Sequence, residues 1–194
     1  MTYPYLLFDA DDTLFDFPQA SQRAFALLCE REGLPHSLAH WQHYHSINMA
    51  HWAALDRGEI SKEEVLVGPF RAYLQELGLS RDPGACSRVY LGALGESVFP
   101  LPHAEEVCRE LHRRGHKLYI ITNAVASVQK RRLELCPFGE LFSAAFISEE
   151  AGAAKPQKAY YDYVLSRLPQ VNGDNALIIG DSLSSDSIVV NLCI

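Results

Sequence analysis

YLLFDADDTLFDF, residues 5–17, sets four aspartates within eight residues directly after an apolar run. The run Tyr5–Phe8 shows no apolar/polar alternation, so both of its faces need cover, as in a strand of a parallel sheet. The acids then belong to the loop at the carboxyl end of that strand, where parallel sheets collect their polar chemistry.

Three later segments repeat the pattern: KLYIITNA (117–124), AAFISEE (144–150) and ALIIGD (176–181). Helical stretches separate them. PHAEEVCRELHRRG (102–115) has Pro102 in a first turn, acids early, bases late and Gly115 as a stop. VASVQKRRLEL (125–135) ends before Pro137, and KAYYDYVLSRL (158–168) ends before Pro169. Strands alternating with helices predict an α/β fold, a Rossmann-like doubly wound parallel sheet.

Residues 18–97 break the alternation and read as an all-helical insertion, leaving 1–17 and 98–194 as a split core. Helices are expected at Pro18–Arg31 and Leu38–Leu55, from the capping box SKEE (61–64) to Leu77, and at Pro83–Leu94. In the box, Ser61 caps and Glu64 reaches back.

Composition excludes several classes. The net charge of −7 comes without a long basic run, which argues against a nucleic-acid-binding surface. No apolar run reaches membrane-spanning length, and MTYPYLLFDAD lacks the basic start of a signal peptide. The five cysteines (Cys29, Cys86, Cys108, Cys136, Cys193) show no CxxC spacing, which fits free thiols in a reducing cytoplasm.

Each expected strand ends in polar chemistry: Asp9 and Asp11, Thr122 and Asn123, Lys155 shortly after the third, then Asp181 with Asp186. In a parallel sheet these ends converge. Clustered carboxylates repel one another, and a divalent cation relieves that repulsion. Hard oxygen ligands suit Mg2+, and metal with lysine leaves room for a dianionic phosphate. One carboxylate is then placed to attack phosphorus, and its neighbour two residues along to move the proton. Taken singly, an aspartate at a strand end is a turn former and Thr122 a helix cap. Asp186 read alone is a cap too. Asp12 and Asp16 are expected to serve the turn rather than the chemistry.

DADDTL, IITNA, AAKP and GDSLSSD, in this order, resemble the four motifs of the haloacid dehalogenase superfamily. The helical insertion resembles that superfamily's C1-type cap. FDADDTLFDF, INMAHWAALDRGEIS (47–61), ISEEAGAAKP (147–156) and GDSLSSD (180–186) further resemble the noncanonical pyrimidine nucleotidases, over roughly residues 3–186. The resemblance implies Asp9 as nucleophile and Asp11 as general acid/base. It implies that the Thr122 hydroxyl and the Asn123 N–H hold the phosphoryl group, with Lys155 neutralising nucleophile and phosphate. Asp181, supported by Asp186, would bind Mg2+ together with Asp9 and the Asp11 carbonyl. The implied activity is hydrolysis of small phosphomonoesters, most readily pyrimidine nucleoside 5′-monophosphates, by a cytoplasmic monomer or homodimer. Alternatives are a sugar-phosphate phosphatase, a phosphomutase, a C–halogen hydrolase and a non-enzymatic relic; the proton donor Asp11 has no use in halide release.

Two features stand apart. His36, His40 and His43, spaced i, i+4, i+7, share one helix face, beside His45 and His51. Without further converging ligands they read as a solvated or substrate-facing surface rather than a zinc site. Trp41, Tyr44 and Trp52 read as packing. After Asp186 the resemblance stops: SIVVNLCI is too short for a parallel crossover, so a truncated sheet with ALIIGD as an exposed edge is expected.

Overall fold

The computed structural model describes residues 3–183, 185 and 186, apart from the side chain of Asp56; the tail SIVVNLCI lies outside the described residues. Strand β1 (Tyr5–Phe8) is followed by helices α1 (Phe17–Glu32), α2 (Leu38–Asp56), α3 (Lys62–Glu76), α4 (Pro83–Gly95) and α5 (Ala104–Arg113). Strand β2 (Lys117–Thr122), helix α6 (Ala126–Leu135) and β3 (Phe142–Ile147) come next. A single-turn α7 (Ser148–Ala151), then α8 (Lys158–Arg167) and β4 (Ala176–Ile179), complete the order. The residues divide into two compact units, Pro18–Ser97 and the segments flanking it.

The sheet is parallel throughout, in the order β3-β2-β1-β4. Successive residues of each strand face opposite ways, and both faces carry a core. Leu6, Phe8, Leu118 and Ile120 pack on one side with Cys108 of α5, Cys136 and Phe138. Leu7, Tyr119, Ile121 and Phe146 pack on the other with Tyr160, Tyr161 and Val164 of α8. That double cover is why the strands lack alternation. The chain runs outward from β1 through β2 to β3, then returns to add β4 on the opposite side. The reversal makes the β1/β4 junction the switch point, the place where such sheets open a crevice at their carboxyl ends.

The helical unit holds an aromatic core. Tyr44 lies 4.7 Å from Phe70 and 5.0 Å from Phe25, centroid to centroid, both stacked, and meets Tyr90 edge-on at 5.4 Å. Fully buried Ser21 accepts from the Tyr90 hydroxyl at 2.9 Å and from the Trp41 indole at 3.2 Å. Trp41 and Tyr44 are packing residues.

Three local expectations change. His36 precedes α2, whose cap is Ser37, so the histidine face does not form. His40 bonds Ser37 and His43 bonds Glu76 at 2.6 Å. Ser61 does cap α3, but the Glu64 carboxylate pairs forward with Arg71 at 2.7 Å. Pro102 lies outside α5, which starts only after His103 takes a left-handed turn (φ 66). No helix among the described residues is long and apolar enough to cross a membrane, and Cys29, Cys86, Cys108 and Cys136 are buried free thiols.

Candidate active site

Asp9 extends β1, its N–H donating to the Ile179 carbonyl of β4 at 2.8 Å, which sets its side chain at the switch point. Ala10 is fully buried, and its carbonyl accepts the N–H groups of Leu14 (2.9 Å) and Phe15 (3.0 Å), turning the chain sharply. Asp12 takes a left-handed conformation (φ 59) tolerated by short polar side chains, and its Oδ1 accepts from Phe17 N–H at 3.1 Å. It thus serves the turn into α1. Asp9 and Asp11, two apart, are left for the site.

Lys155 follows β3 and α7 and is 3% exposed. Its Nζ donates to Asp9 Oδ1 at 2.5 Å and to Asp186 Oδ1 at 2.7 Å. Its backbone is clamped by the Asn123 side chain: Lys155 N–H donates to Oδ1 at 2.9 Å, and Nδ2 donates to the Lys155 carbonyl at 3.0 Å. Two separate strand ends therefore fix one ammonium group between two buried acids.

Thr122, buried at the end of β2, accepts from Ala124 N–H at 3.3 Å, so it shapes the turn and leaves the α6 cap position to Val125. The Thr122 N–H is held at 3.1 Å by the Tyr160 hydroxyl, which donates to the Phe146 carbonyl at 2.6 Å. That tyrosine ties the ends of β2 and β3 together, and its neighbours in YYDY give no sign of the role.

Asp186 spans back to the end of β4. Its Oδ2 accepts from Ser182 N–H at 3.2 Å. A Cβ added at Gly180 would come within 2.2 Å of Asp186 Oδ2 and 2.5 Å of its Cγ, so only glycine lets this carboxylate lie against the strand end. Gly180→Ala is expected to push Asp186 off Lys155, because the added methyl meets the carboxylate itself. A crystal structure of the alanine variant that keeps Lys155 Nζ 2.7 Å from Asp186 Oδ1 would show that the glycine is dispensable.

One oxygen each from Asp9, Asp181 and Asp186 lies within 4.8 Å of the others, the one group of three or more potential metal ligands among the described residues. Burial pushes the Asp9 carboxyl up from 3.8 to about 6 against the pull of Lys155, and Asp186 and Asp11 add to the rise. A single lysine does not balance the acids gathered here. An all-oxygen, acid-rich donor set of this kind fits Mg2+. The Asp11 carboxylate, outside that group of three, is engaged by Arg132 Nη1 at 2.5 Å. Sequence reasoning gives no notice of this buried Arg132 contact; the one hint is its place on the buried stripe of α6, four residues after Val128.

The family model of haloacid dehalogenase-like hydrolases matches residues 3–188. HAD-hydrolase YfnB of Bacillus subtilis is 36% identical over 95% of this chain and 78% of its own. Its crystal structure, described as bound to magnesium, superposes with a TM-score of 0.89 at 35% identity, over 96% of this chain and 83% of that one. Pyrimidine 5′-nucleotidase PynA of Streptococcus pneumoniae is 31% identical over 96% of this chain and 78% of its own. Pyrimidine 5′-nucleotidase YjjG of Escherichia coli is 30% identical, over 96% and 80%.

Proposed function

This chain belongs to the haloacid dehalogenase-like hydrolases, and from that premise we propose that it is a Mg2+-dependent phosphatase of small phosphomonoesters acting through an aspartyl-phosphate. The observation that carries the reading is the buried Asp9 carboxylate at the switch point, 2.5 Å from Lys155 Nζ and grouped with Asp181 and Asp186. A carboxylate so placed attacks phosphorus in line with the ester oxygen. The P–O bond to the leaving group breaks as the Asp9–phosphorus bond forms, and Asp11 gives its proton to the departing oxygen. Asp11 then takes a proton from the water that attacks the phosphoryl group, which frees Asp9 and inorganic phosphate.

Lys155 offsets negative charge on the nucleophile and the transferring group. The Thr122 hydroxyl and the Asn123 N–H hold phosphoryl oxygens, while the Asn123 side chain keeps Lys155 in position. Asp9, Asp181, Asp186 and the Asp11 carbonyl would hold Mg2+, which supplies further charge neutralisation when bound. In this reading the helical unit is the cap, and the favoured substrates are pyrimidine nucleoside 5′-monophosphates, supported by the named activities of PynA and YjjG.

The test is phosphate release from a panel of nucleoside monophosphates, sugar phosphates and p-nitrophenyl phosphate, with Mg2+ and with EDTA. Mg2+-dependent turnover, fastest on pyrimidine nucleotides, is expected. Turnover of sugar phosphates alone would overturn the substrate class. A folded protein that releases no phosphate from any member would overturn the enzyme.

A further inference from the structure

We propose that Arg132 is a positioning residue for Asp11, locking that carboxylate for proton transfer; the inference rests on the acid/base reading of Asp11 above. Arg132 lies in the last turn of α6 and is 1% exposed. Its Nη1 donates to Asp11 Oδ1 at 2.5 Å. Its guanidinium carbon sits 4.7 Å over the ring of Phe15, itself fully buried. Gln129, also fully buried, offers Oε1 to the same Nη1 at 3.4 Å.

The rest of the guanidinium is poorly served. Among the described residues, Arg132 Nε and Nη2 and the neighbouring Gln129 Nε2 have no hydrogen-bond partner. A buried guanidinium with two nitrogens unsatisfied carries a desolvation cost that its single ion pair, to the part-exposed Asp11, offsets only in part. The arginine is therefore not explained by stability. Its one strong contact is Asp11.

Asp11 needs the restraint. Its side chain is 30% exposed, so packing alone does not select one rotamer. Phe15 belongs to the same turn: Asp11 and Phe15 form a β-bridge, and Asp12 N–H donates to the Phe15 carbonyl at 2.7 Å. The ring that fixes the guanidinium is thus attached to the loop that carries the acid. With Oδ1 engaged by Arg132, the carboxylate is held in one orientation and Oδ2 is left free of that contact.

The experiment compares wild type, Arg132→Met and Arg132→Lys with Mg2+. The substrates are the alkyl monophosphate turned over fastest in the panel above and p-nitrophenyl phosphate, whose leaving group needs no proton. Arg132→Met is expected to lower kcat/KM on the alkyl ester about 10- to 100-fold, through kcat with KM little changed. The loss in kcat/KM on p-nitrophenyl phosphate, a quantity that excludes the later hydrolysis of the aspartyl-phosphate, should be about fivefold or less, and the melting temperature should move by only a few degrees. Arg132→Lys should recover part of the loss. In an Asp11→Asn background, Arg132→Met should add nothing on p-nitrophenyl phosphate, because a residue acting through another has no effect once that partner is gone.

Equal losses on both esters with a lower melting temperature would overturn the inference in favour of a structural role. So would full activity in Arg132→Met. Wild type inactive on every ester would sink the phosphatase reading and this inference with it, whereas an active wild type with an indifferent Arg132→Met sinks the inference alone.

Discussion

Asp9→Asn is expected to end phosphate release, by about 10⁴-fold or more, in a protein that stays folded. Removal of an attacking group takes away a bond-forming partner that neighbouring residues do not replace. The amide keeps the shape of the side chain and an oxygen for Lys155 Nζ, so the fold has little reason to change. The same variant has a second signature. In metal-free protein burial raises the Asp9 carboxyl from 3.8 to about 6, so the fold favours its protonated form. Stability from that preference is present below pH 4 and lost as pH rises through 6, an interval worth about 3 kcal/mol. In EDTA, wild type should therefore lose stability relative to Asp9→Asn between pH 4 and 6, which denaturant melts at several pH values read directly. Retention of more than about a tenth of the activity would refute the nucleophile, and a flat difference across that interval would refute the electrostatics.

How much of this was visible in the sequence depends on what kind of force places each residue. The strands were, because a segment covered on both faces must be apolar at successive positions, as Leu6, Leu7 and Phe8 are. Strand β3 begins at Phe142, two residues before the expected AAFISEE, because Phe142 pairs with Leu118 across a register shift that no local pattern announces. The convergence of Asp9, Asp181 and Lys155 is legible through ordered motifs, since topology brings strand ends together wherever the chain places them. The burial of Arg132 is not legible because a charged residue in a helix reads as solvated. Its burial depends on Phe15 and Asp11, more than a hundred residues away. Glu64 and Pro102 were misread for a related reason: local capping grammar competes with partners such as Arg71 and with a left-handed residue at His103.

Lys155→Met should cost about 3–5 kcal/mol in EDTA at pH 7.5, roughly a 10 °C drop in Tm for a chain of this length, and should lower turnover by about 10²-fold or more. Asp9 and Asp186 are 7% and 8% exposed, and Lys155 Nζ lies 2.5 and 2.7 Å from them. Without the ammonium, two buried carboxylates face each other with no counter-charge. Methionine fills most of the lysine stem, and the Asn123 clamp holds only backbone atoms of residue 155, so packing and backbone position survive. The deficit is then one of charge, and pH separates charge from packing. Lys155 lowers the Asp9 pKa in wild type, so its loss raises that carboxyl further and the variant protonates Asp9 sooner on acidification. A protonated Asp9 no longer repels Asp186, and the gap between variant and wild type should close as pH falls toward 5. A cavity or a misplaced backbone would leave a deficit equally large at pH 5 and pH 7.5, and that result would sink the account of Lys155 as the charge that lets two buried acids share one crevice.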